Sequence, residues 1–286
     1  MKYQLATACR LGNRKANQDR FAVVETGNAV MMVVADGMSG HSDGKLAADT
    51  LVESVVRSFN NTKFPHPAPY KFFQQILTIA QQEVLDAGAK QSPPVSPRTT
   101  CVLCLVQQGT AIWAHVGDSR LYWIRNGKIL EQTRDHSRVE EMYQQGLITA
   151  EQKERHPQRN IVTQCIGSPK KPPRPTISQK TPLTTDDVLL LCSDGLWGQI
   201  PTEQLEDNFR RYNVDYALEM LAHDAEANGF PKSDNISGIA FRWLSNAKSQ
   251  PTRSRSSIKD LEELDHLADG LEDITRTLDR IEKDIN

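Results

Sequence analysis

Residues 29–37 read Ala-Val-Met-Met-Val-Val-Ala-Asp-Gly, a continuous apolar run that ends at a carboxylate and a glycine. A short apolar run bounded by a turn signal is typical of a buried β-strand. Asp118, Asp194 and Asp234 share this context, because each lies where a β-rich run meets a small or polar turn. The pattern therefore predicts that carboxylates gather at the ends of strands.

Other β-rich runs lie on both sides of this stretch, with two long helical patterns among them. Residues 45–59 and 70–87 have apolar positions three and four apart, which predicts amphipathic helices. The segment Arg125-Asn126-Gly127-Lys128 contains Asn-Gly, the strongest short hairpin signal, and hairpins favour antiparallel sheets. Long helices beside antiparallel strands predict a layered α+β sandwich. The other predicted strands are Phe21–Val24, Cys101–Val106, Ala111–Val116, Leu121–Ile124, Val188–Leu191 and Ile236–Trp243.

Composition divides the chain into a body, a linker and a charged end. Residues 1–244 form the body, in which the polar helical stretch 137–168 is predicted to be a flap subdomain. Residues 245–257 are rich in Ser, Arg, Lys and Gln, which indicates a flexible linker. In residues 258–286 apolar residues recur at steps of three and four, and ten acids against four bases give a net charge of −6. This acidic, coiled-coil-like helix either packs on its own body or mediates self-association or docking on a partner.

Charge and hydropathy exclude several classes of protein. The chain has 34 Lys and Arg against 36 Asp and Glu, and a formal net charge of −2 argues against a nucleic-acid binder. Its apolar runs are far shorter than the ~20 residues that span a bilayer. Five cysteines and the lack of an apolar N-terminal stretch indicate a cytoplasmic protein, neither secreted nor stapled by disulfides.

The acidic residues at strand ends are the candidates for chemistry. One such Asp commonly forms a turn with its own backbone. Four of them together with Asp19 are better explained by a shared cation, because converging carboxylates otherwise repel one another. Ligands that are all oxygen favour Mg²⁺ or Mn²⁺, and the glycines beside Asp36 and Asp194 let the backbone approach an ion. Cys101 and Cys104 have half the spacing of a zinc site, but no second pair follows, so buried free thiols are the simpler interpretation.

Seven short segments follow one another along residues 5–243. They are Arg14–Asp19, Asp36–His41, Thr99-Thr100, Gly117–Arg120, Asp135–Ser137, Ser193–Trp197 and Asp234–Ser237. In this order they resemble the metal-dependent type 2C serine/threonine protein phosphatases in their compact bacterial form. Any one segment is a weak signal, whereas seven in the family's order are specific. The resemblance implies a four-layer α-β-β-α sandwich of two antiparallel sheets flanked by helices, with a dinuclear metal centre at one end.

The resemblance also implies a set of metal ligands. Asp36 would bridge two Mn²⁺ or Mg²⁺ ions, and the Gly37 carbonyl would be a further ligand. Asp19 would reach a metal largely through water, while Asp194 and Asp234 would hold the other side of the centre.

Five further residues complete the implied site. Asp118 would help to bind a weaker third ion, and Arg14 would receive the substrate phosphate through its planar guanidinium. His41 would act either as a general acid or in a structural role. Thr100 and Asn235 would support the ligands, although Thr100 fits an ordinary residue at the start of a strand equally well.

The chain departs from the family's pattern in two places. Ser39 stands where the family usually has glycine, and Pro97-Arg98 replaces a small, flexible pair. Neither change removes a carboxylate, so the sequence favours an active enzyme over a degenerate family member.

The implied activity is the hydrolysis of phosphoserine and phosphothreonine on proteins by a metal-activated water, without a phosphoenzyme. The expected partners are phosphorylated proteins and a cognate serine/threonine kinase that the enzyme opposes. The alternative is a regulatory scaffold or sensor that recruits a partner through its C-terminal helix with little turnover. The complete set of carboxylates favours the enzyme.

Overall fold

The computed structural model describes residues 1–38, 42–170 and 172–245. The expectations for Ser39, for His41, for the linker beyond Ser245 and for the acidic segment 258–286 therefore fall outside the described residues. Among the residues described, no helix combines the length and the apolar content needed to cross a membrane.

Two antiparallel sheets form the centre of the molecule. In spatial order, the first sheet contains β1 (Lys2–Arg10), β12 (Ile236–Ser245), β11 (Val188–Cys192), β7 (Arg120–Arg125) and β8 (Lys128–Gln132). The second contains β10 (Thr181–Pro182), β6 (Thr110–Val116), β5 (Cys101–Gln107), β3 (Ala29–Met38) and β2 (Asp19–Thr26). Two short strands complete the second sheet, β4 (Arg98–Thr99) beside β3 and β9 (Thr176–Ile177) beside β6.

Helices cover the outer face of each sheet, which confirms the four-layer α-β-β-α sandwich. The helices α1 (Ser42–Asn60) and α2 (Pro69–Ala89) pack on the second sheet. On the first sheet lie α5 (Asp194–Trp197), α6 (Thr202–Arg211) and α7 (Val214–Gly229). A third apolar core fills the space between the two sheets. Two short helices, α3 (Arg138–Gln144) and α4 (Ala150–Arg155), follow β8.

The central strand β3 explains why its sequence is apolar without interruption. Successive side chains of a strand alternate between the two faces of the sheet. Met31 and Val33 accordingly belong to the core under α1 and α2, whereas Met32 and Val34 belong to the core between the sheets. Because both faces are covered, every one of these positions favours an apolar side chain.

Most of the predicted elements are confirmed. The seven predicted strands lie within β2, β3, β5, β6, β7, β11 and β12, and the two predicted long helices are α1 and α2. The hairpin between β7 and β8 turns at Asn126 and Gly127, whose φ angles are 51° and 67°. Positive φ at both central residues is what makes Asn-Gly a strong turn signal.

The N-terminal strand β1 is absent from the sequence-based prediction. Its buried positions include only the small residues Ala6 and Ala8, so its alternation is weak. The strand pairs with β12 along its length, and Lys2 lies opposite Ser245. Ser245, which the sequence analysis assigns to the linker, is the last residue of strand β12.

The stretch predicted to be a flap contains α3 and α4, whose N-termini differ. Thr149 forms a complete capping box with Gln152. Ser137 accepts a hydrogen bond from the Glu140 N–H at 3.3 Å, but the Glu140 carboxylate accepts from Gln144 and Lys153 and does not return to Ser137. Although Ser137 and Glu140 have the spacing of a capping box, only half of the box forms, because the lysine ammonium is the stronger partner for a partly buried carboxylate.

Candidate active site

The predicted carboxylates come from both sheets and meet at one end of the sandwich. Asp19 and Asp36 lie directly opposite each other in the β2–β3 pairing. Asp194 begins α5 two residues after the end of β11, and its carboxyl group lies close enough to that of Asp36 for the two to affect each other's pKa. The Ser193 hydroxyl donates to Asp19 at 2.7 Å and so joins the two sheets at this point.

Burial and mutual repulsion raise the pKa values of these carboxyl groups. The pKa of Asp19 is raised to about 7, that of Asp194 to about 6 and that of Asp118 to about 8, with burial as the largest cause and neighbouring Asp residues as a further one. Burial and the charges of Asp194 and Asp19 also raise the pKa of Asp36 well above its ordinary value. Although Asp36 and Asp194 keep some surface exposure, each is surrounded by other carboxylates. A site of this kind favours cations, because a cation removes the repulsion.

Two glycines let backbone segments approach the carboxylates closely. A Cβ on Gly37 would lie 2.4 Å from the Gly44 carbonyl oxygen, and one on Gly195 would lie 2.0 Å from the Asn235 carbonyl oxygen. Only glycine fits at these positions. Because Gly195 has no side chain, the start of α5 lies directly against the segment that carries Asp234.

The donor set fits hard divalent cations. The clustered side chains are carboxylates, and carboxylate and carbonyl oxygens suit Mg²⁺ and Mn²⁺. In the part of the chain that the structure describes, no three His, Cys, Asp or Glu side chains already have the arrangement of a metal site. The fit therefore rests on the buried, mutually repelling oxygens.

Arg14 lies at the rim of this cluster. Its guanidinium donates to the Asp234 carboxylate at 2.6 Å, and 56% of its side chain remains exposed. The hydrogen bond with Asp234 is the largest cause that raises the pKa of Arg14, so the group stays charged. The arrangement places an accessible cation beside the carboxylates, which suits the capture of a phosphate.

Thr100 and Asn235 lie beside the predicted ligands, as expected. The Thr100 N–H donates to the Asp36 carbonyl at 2.9 Å, while its hydroxyl is 2.6 Å from that of Ser119. The Asn235 N–H donates to the Asp234 carboxylate at 2.8 Å, and its side-chain oxygen accepts from the Gln18 N–H at 2.9 Å. Both residues thus tie ligand-bearing segments to neighbouring ones.

Sequence reasoning missed a group of residues that connects Asp118 to α5. Arg120 forms two hydrogen bonds of 2.8 Å with the Asp135 carboxylate, and its guanidinium lies 3.5 Å from the ring centre of Trp197. The Trp197 indole N–H in turn donates to the Asp118 carbonyl at 2.9 Å. All four residues belong to the seven matching segments, but nothing in the local pattern says that they touch.

The alternative zinc pair does not converge. Cys101 packs in the core beneath the α1–α2 layer, whereas Cys104 packs in the core between the sheets. Burial raises the pKa of both thiols. The interpretation of these cysteines as buried free thiols is therefore confirmed.

The sequence and the fold of this chain are similar to those of known protein phosphatases. The family described as Protein phosphatase 2C matches residues 9–230. Protein phosphatase PhpP of Streptococcus pneumoniae is 32% identical over 200 residues, which cover 69% of this chain and 80% of that protein. The structure of the serine/threonine phosphatase Stp1 from Staphylococcus aureus has a TM-score of 0.79 at 26% identity, covering 86% of this chain and 96% of that one. The catalytic domain of the phosphatase PstP, in complex with two manganese ions, shares the fold with a TM-score of 0.71 at 21% identity, over 85% of this chain and 99% of its own.

Proposed function

The chain belongs to the protein phosphatase 2C family, and from that premise we propose that the clustered carboxylates are its metal ligands and that Arg14 binds the substrate phosphate. The enzyme is a metal-dependent serine/threonine protein phosphatase. One observation carries the assignment of the site: five Asp residues from both sheets converge, four of them with a raised pKa.

Mn²⁺ or Mg²⁺ ions held between these carboxylates would neutralise charge and supply an activated water as the nucleophile. Asp36 would be the central ligand, because it lies opposite Asp19 in the β2–β3 pairing and the charges of both Asp194 and Asp19 act on it. The Gly37 carbonyl and Asp234 complete the main set. Asp118, which approaches from the β6–β7 connection, would help to hold a weaker third ion.

Arg14 orients the substrate. Its planar guanidinium binds two phosphate oxygens at once, which a lysine ammonium cannot do. To do so it exchanges part of its interaction with Asp234 for the phosphate, and its exposure at the rim leaves room for this exchange. The positive charge then also stabilises the negative charge that develops on the phosphoryl oxygens.

The substrates are phosphoproteins, and the enzyme opposes a cognate serine/threonine kinase in the cytoplasm. The body 1–244 with its flap 137–168 carries the catalysis, while the acidic segment 258–286 mediates self-association or docking on a partner. A scaffold without turnover would not need to retain a complete set of buried carboxylates. Their retention supports the enzyme as the main role.

The decisive experiment measures phosphate release from a phosphothreonine peptide with Mn²⁺, before and after EDTA. The Asp36→Asn variant should lose several orders of magnitude in activity, because it removes the ligand shared by both ions. Asp118→Ala should lose less and should mainly require a higher Mn²⁺ concentration. Full activity in EDTA, or in the Asp36→Asn variant, would contradict the proposed function.

A further inference from the structure

The turn at residues 229–233, here called the Phe230 ridge, carries a large exposed aromatic ring. Phe230 is 71% exposed, more than any other large apolar residue among those the structure describes. The Lys232 N–H donates to the Gly229 carbonyl at 2.8 Å and closes the turn. A single exposed apolar residue is ordinary on a protein surface. The functional significance of Phe230 therefore depends on where it lies relative to the active site.

Hydrogen bonds attach the base of the Phe230 ridge to the loop that carries Arg14. The Asn13 N–H donates to the Ser233 carbonyl at 3.0 Å, and the Ser233 hydroxyl donates to the Asn13 side-chain oxygen at 2.8 Å. The packing is close, since a Cβ on Gly12 would lie 2.1 Å from the Asp234 carbonyl oxygen. The ridge is therefore held in a fixed position relative to the phosphate-binding arginine.

The number of residues between Phe230 and Asp234 limits how far apart they lie. Phe230 comes four residues before Asp234, whose carboxylate accepts from Arg14, so the two Cα atoms are at most about 14 Å apart. An extended peptide advances about 3.3 Å per residue. About four residues of a peptide that runs from Asp234 toward the ridge therefore cover this separation of the Cα atoms.

Two exposed lysines lie next to the two ends of this path. Lys15 follows Arg14 in the chain, and Lys232 belongs to the ridge itself. An exposed phenylalanine ring and two ammonium groups complement a peptide that combines an apolar side chain with acidic residues.

We propose that the Phe230 ridge is a specificity surface for the substrate, on which an apolar side chain of the phosphopeptide packs within four residues of the phosphoresidue. The two lysines favour acidic residues in the same stretch. This inference rests on the proposed function, and it names the class of phosphoprotein sequence that the site takes.

The test uses the full chain with saturating Mn²⁺ and a series of phosphothreonine peptides. In the series, a single leucine moves through the four positions on each side of the phosphothreonine in an otherwise alanine-rich acidic sequence. We expect one placement to lower KM on the order of tenfold relative to the leucine-free peptide, because it buries the Phe230 ring. Phe230→Ala should abolish this gain with little change in kcat, and Phe230→Leu should keep most of it.

The matched control is Tyr216→Ala, which removes another exposed aromatic ring, 51% exposed, from the opposite end of α7. This variant should keep the leucine preference. The proposed role of the Phe230 ridge is contradicted if the wild-type enzyme shows no leucine preference, or if the preference survives in Phe230→Ala. Turnover of p-nitrophenyl phosphate separates this proposal from the proposed function. If neither p-nitrophenyl phosphate nor any peptide is hydrolysed, the proposed function fails as well. If the peptides are hydrolysed without a leucine preference, only the proposed role of the Phe230 ridge is contradicted.

Discussion

The side chain of Arg120 contacts three other residues near the carboxylate cluster. It binds Asp135 with both arms of its guanidinium, donates to the Tyr122 hydroxyl at 3.0 Å and stacks on Trp197. Since the Trp197 indole N–H donates to the Asp118 carbonyl, Arg120 holds α5 against the segment that carries Asp118, the proposed ligand of a weaker third ion. Lysine has neither the planar fork nor the stacking face that these contacts require.

We therefore expect Arg120→Lys to weaken Mn²⁺ binding, by roughly 10- to 100-fold as for other residues that orient metal ligands. Titration calorimetry with Mn²⁺ measures this effect independently of turnover. Arg125→Lys is a matched control, because Arg125 forms the same two-armed bond with Asp187 and lies over Trp123, but without contact to a predicted ligand. Equal losses of Mn²⁺ affinity in both variants would show that Arg120 has no special role.

At the scale of elements, the contact between α5 and the start of β12 brings Asp194 beside Asp234. Gly195 permits this contact, because any Cβ there would meet the Asn235 carbonyl oxygen of the backbone. Backbone cannot give way as easily as the end of a flexible side chain, so the helix itself would have to move.

Gly195→Ala should accordingly lower both stability and activity. Overpacking of this kind costs about 1–3 kcal/mol in the free energy of unfolding, and the displacement of Asp194 should reduce phosphatase activity further. Urea denaturation and phosphate release measure the two effects. Gly27→Ala is the control, since a Cβ at Gly27 meets nothing within 4 Å. A Gly195→Ala protein with the stability and activity of the control would refute the importance of this contact.

At the scale of the whole molecule, carboxylates carried by the two sheets meet at one end of the sandwich. Carboxyl groups with raised pKa values bind protons more strongly in the folded than in the unfolded state. In EDTA, stability should therefore fall as the pH rises from about 4, near the ordinary pKa of Asp, through the values of about 6 to 8 in the folded protein.

Mn²⁺ should reverse this trend, because it binds the deprotonated carboxylates of the folded state only. We expect the unfolding temperature at pH 8 to rise on addition of Mn²⁺ and to rise less at pH 5. Scanning calorimetry in EDTA and in Mn²⁺ at the two pH values tests this. The Asp36→Asn variant should show a weaker response to the metal, and a response as large as that of the wild type would contradict the assignment.

Much of the fold could be predicted because it follows from local patterns. A few neighbouring residues are enough to recognise the strand at 29–37, the Asn-Gly turn and each of the two periodic helices. Strand β1 could not be found in this way, since Ala6 and Ala8 are weak signals and the strand is defined by its pairing with β12 at the other end of the body.

For the site, the sequence by itself determined the kind of ligand, because Asp residues at strand ends offer only oxygen donors, while the resemblance to the phosphatase family implied that Arg14 binds a phosphate. Only the tertiary structure decided which of these groups meet. Arg14 and Asp234 are 220 positions apart, and Ser193 and Asp19 are 174 apart, yet each pair is joined by a hydrogen bond. Such contacts depend on how the strands pair and how the two sheets pack. Local sequence patterns do not predict that pairing, because it joins residues that are far apart along the chain.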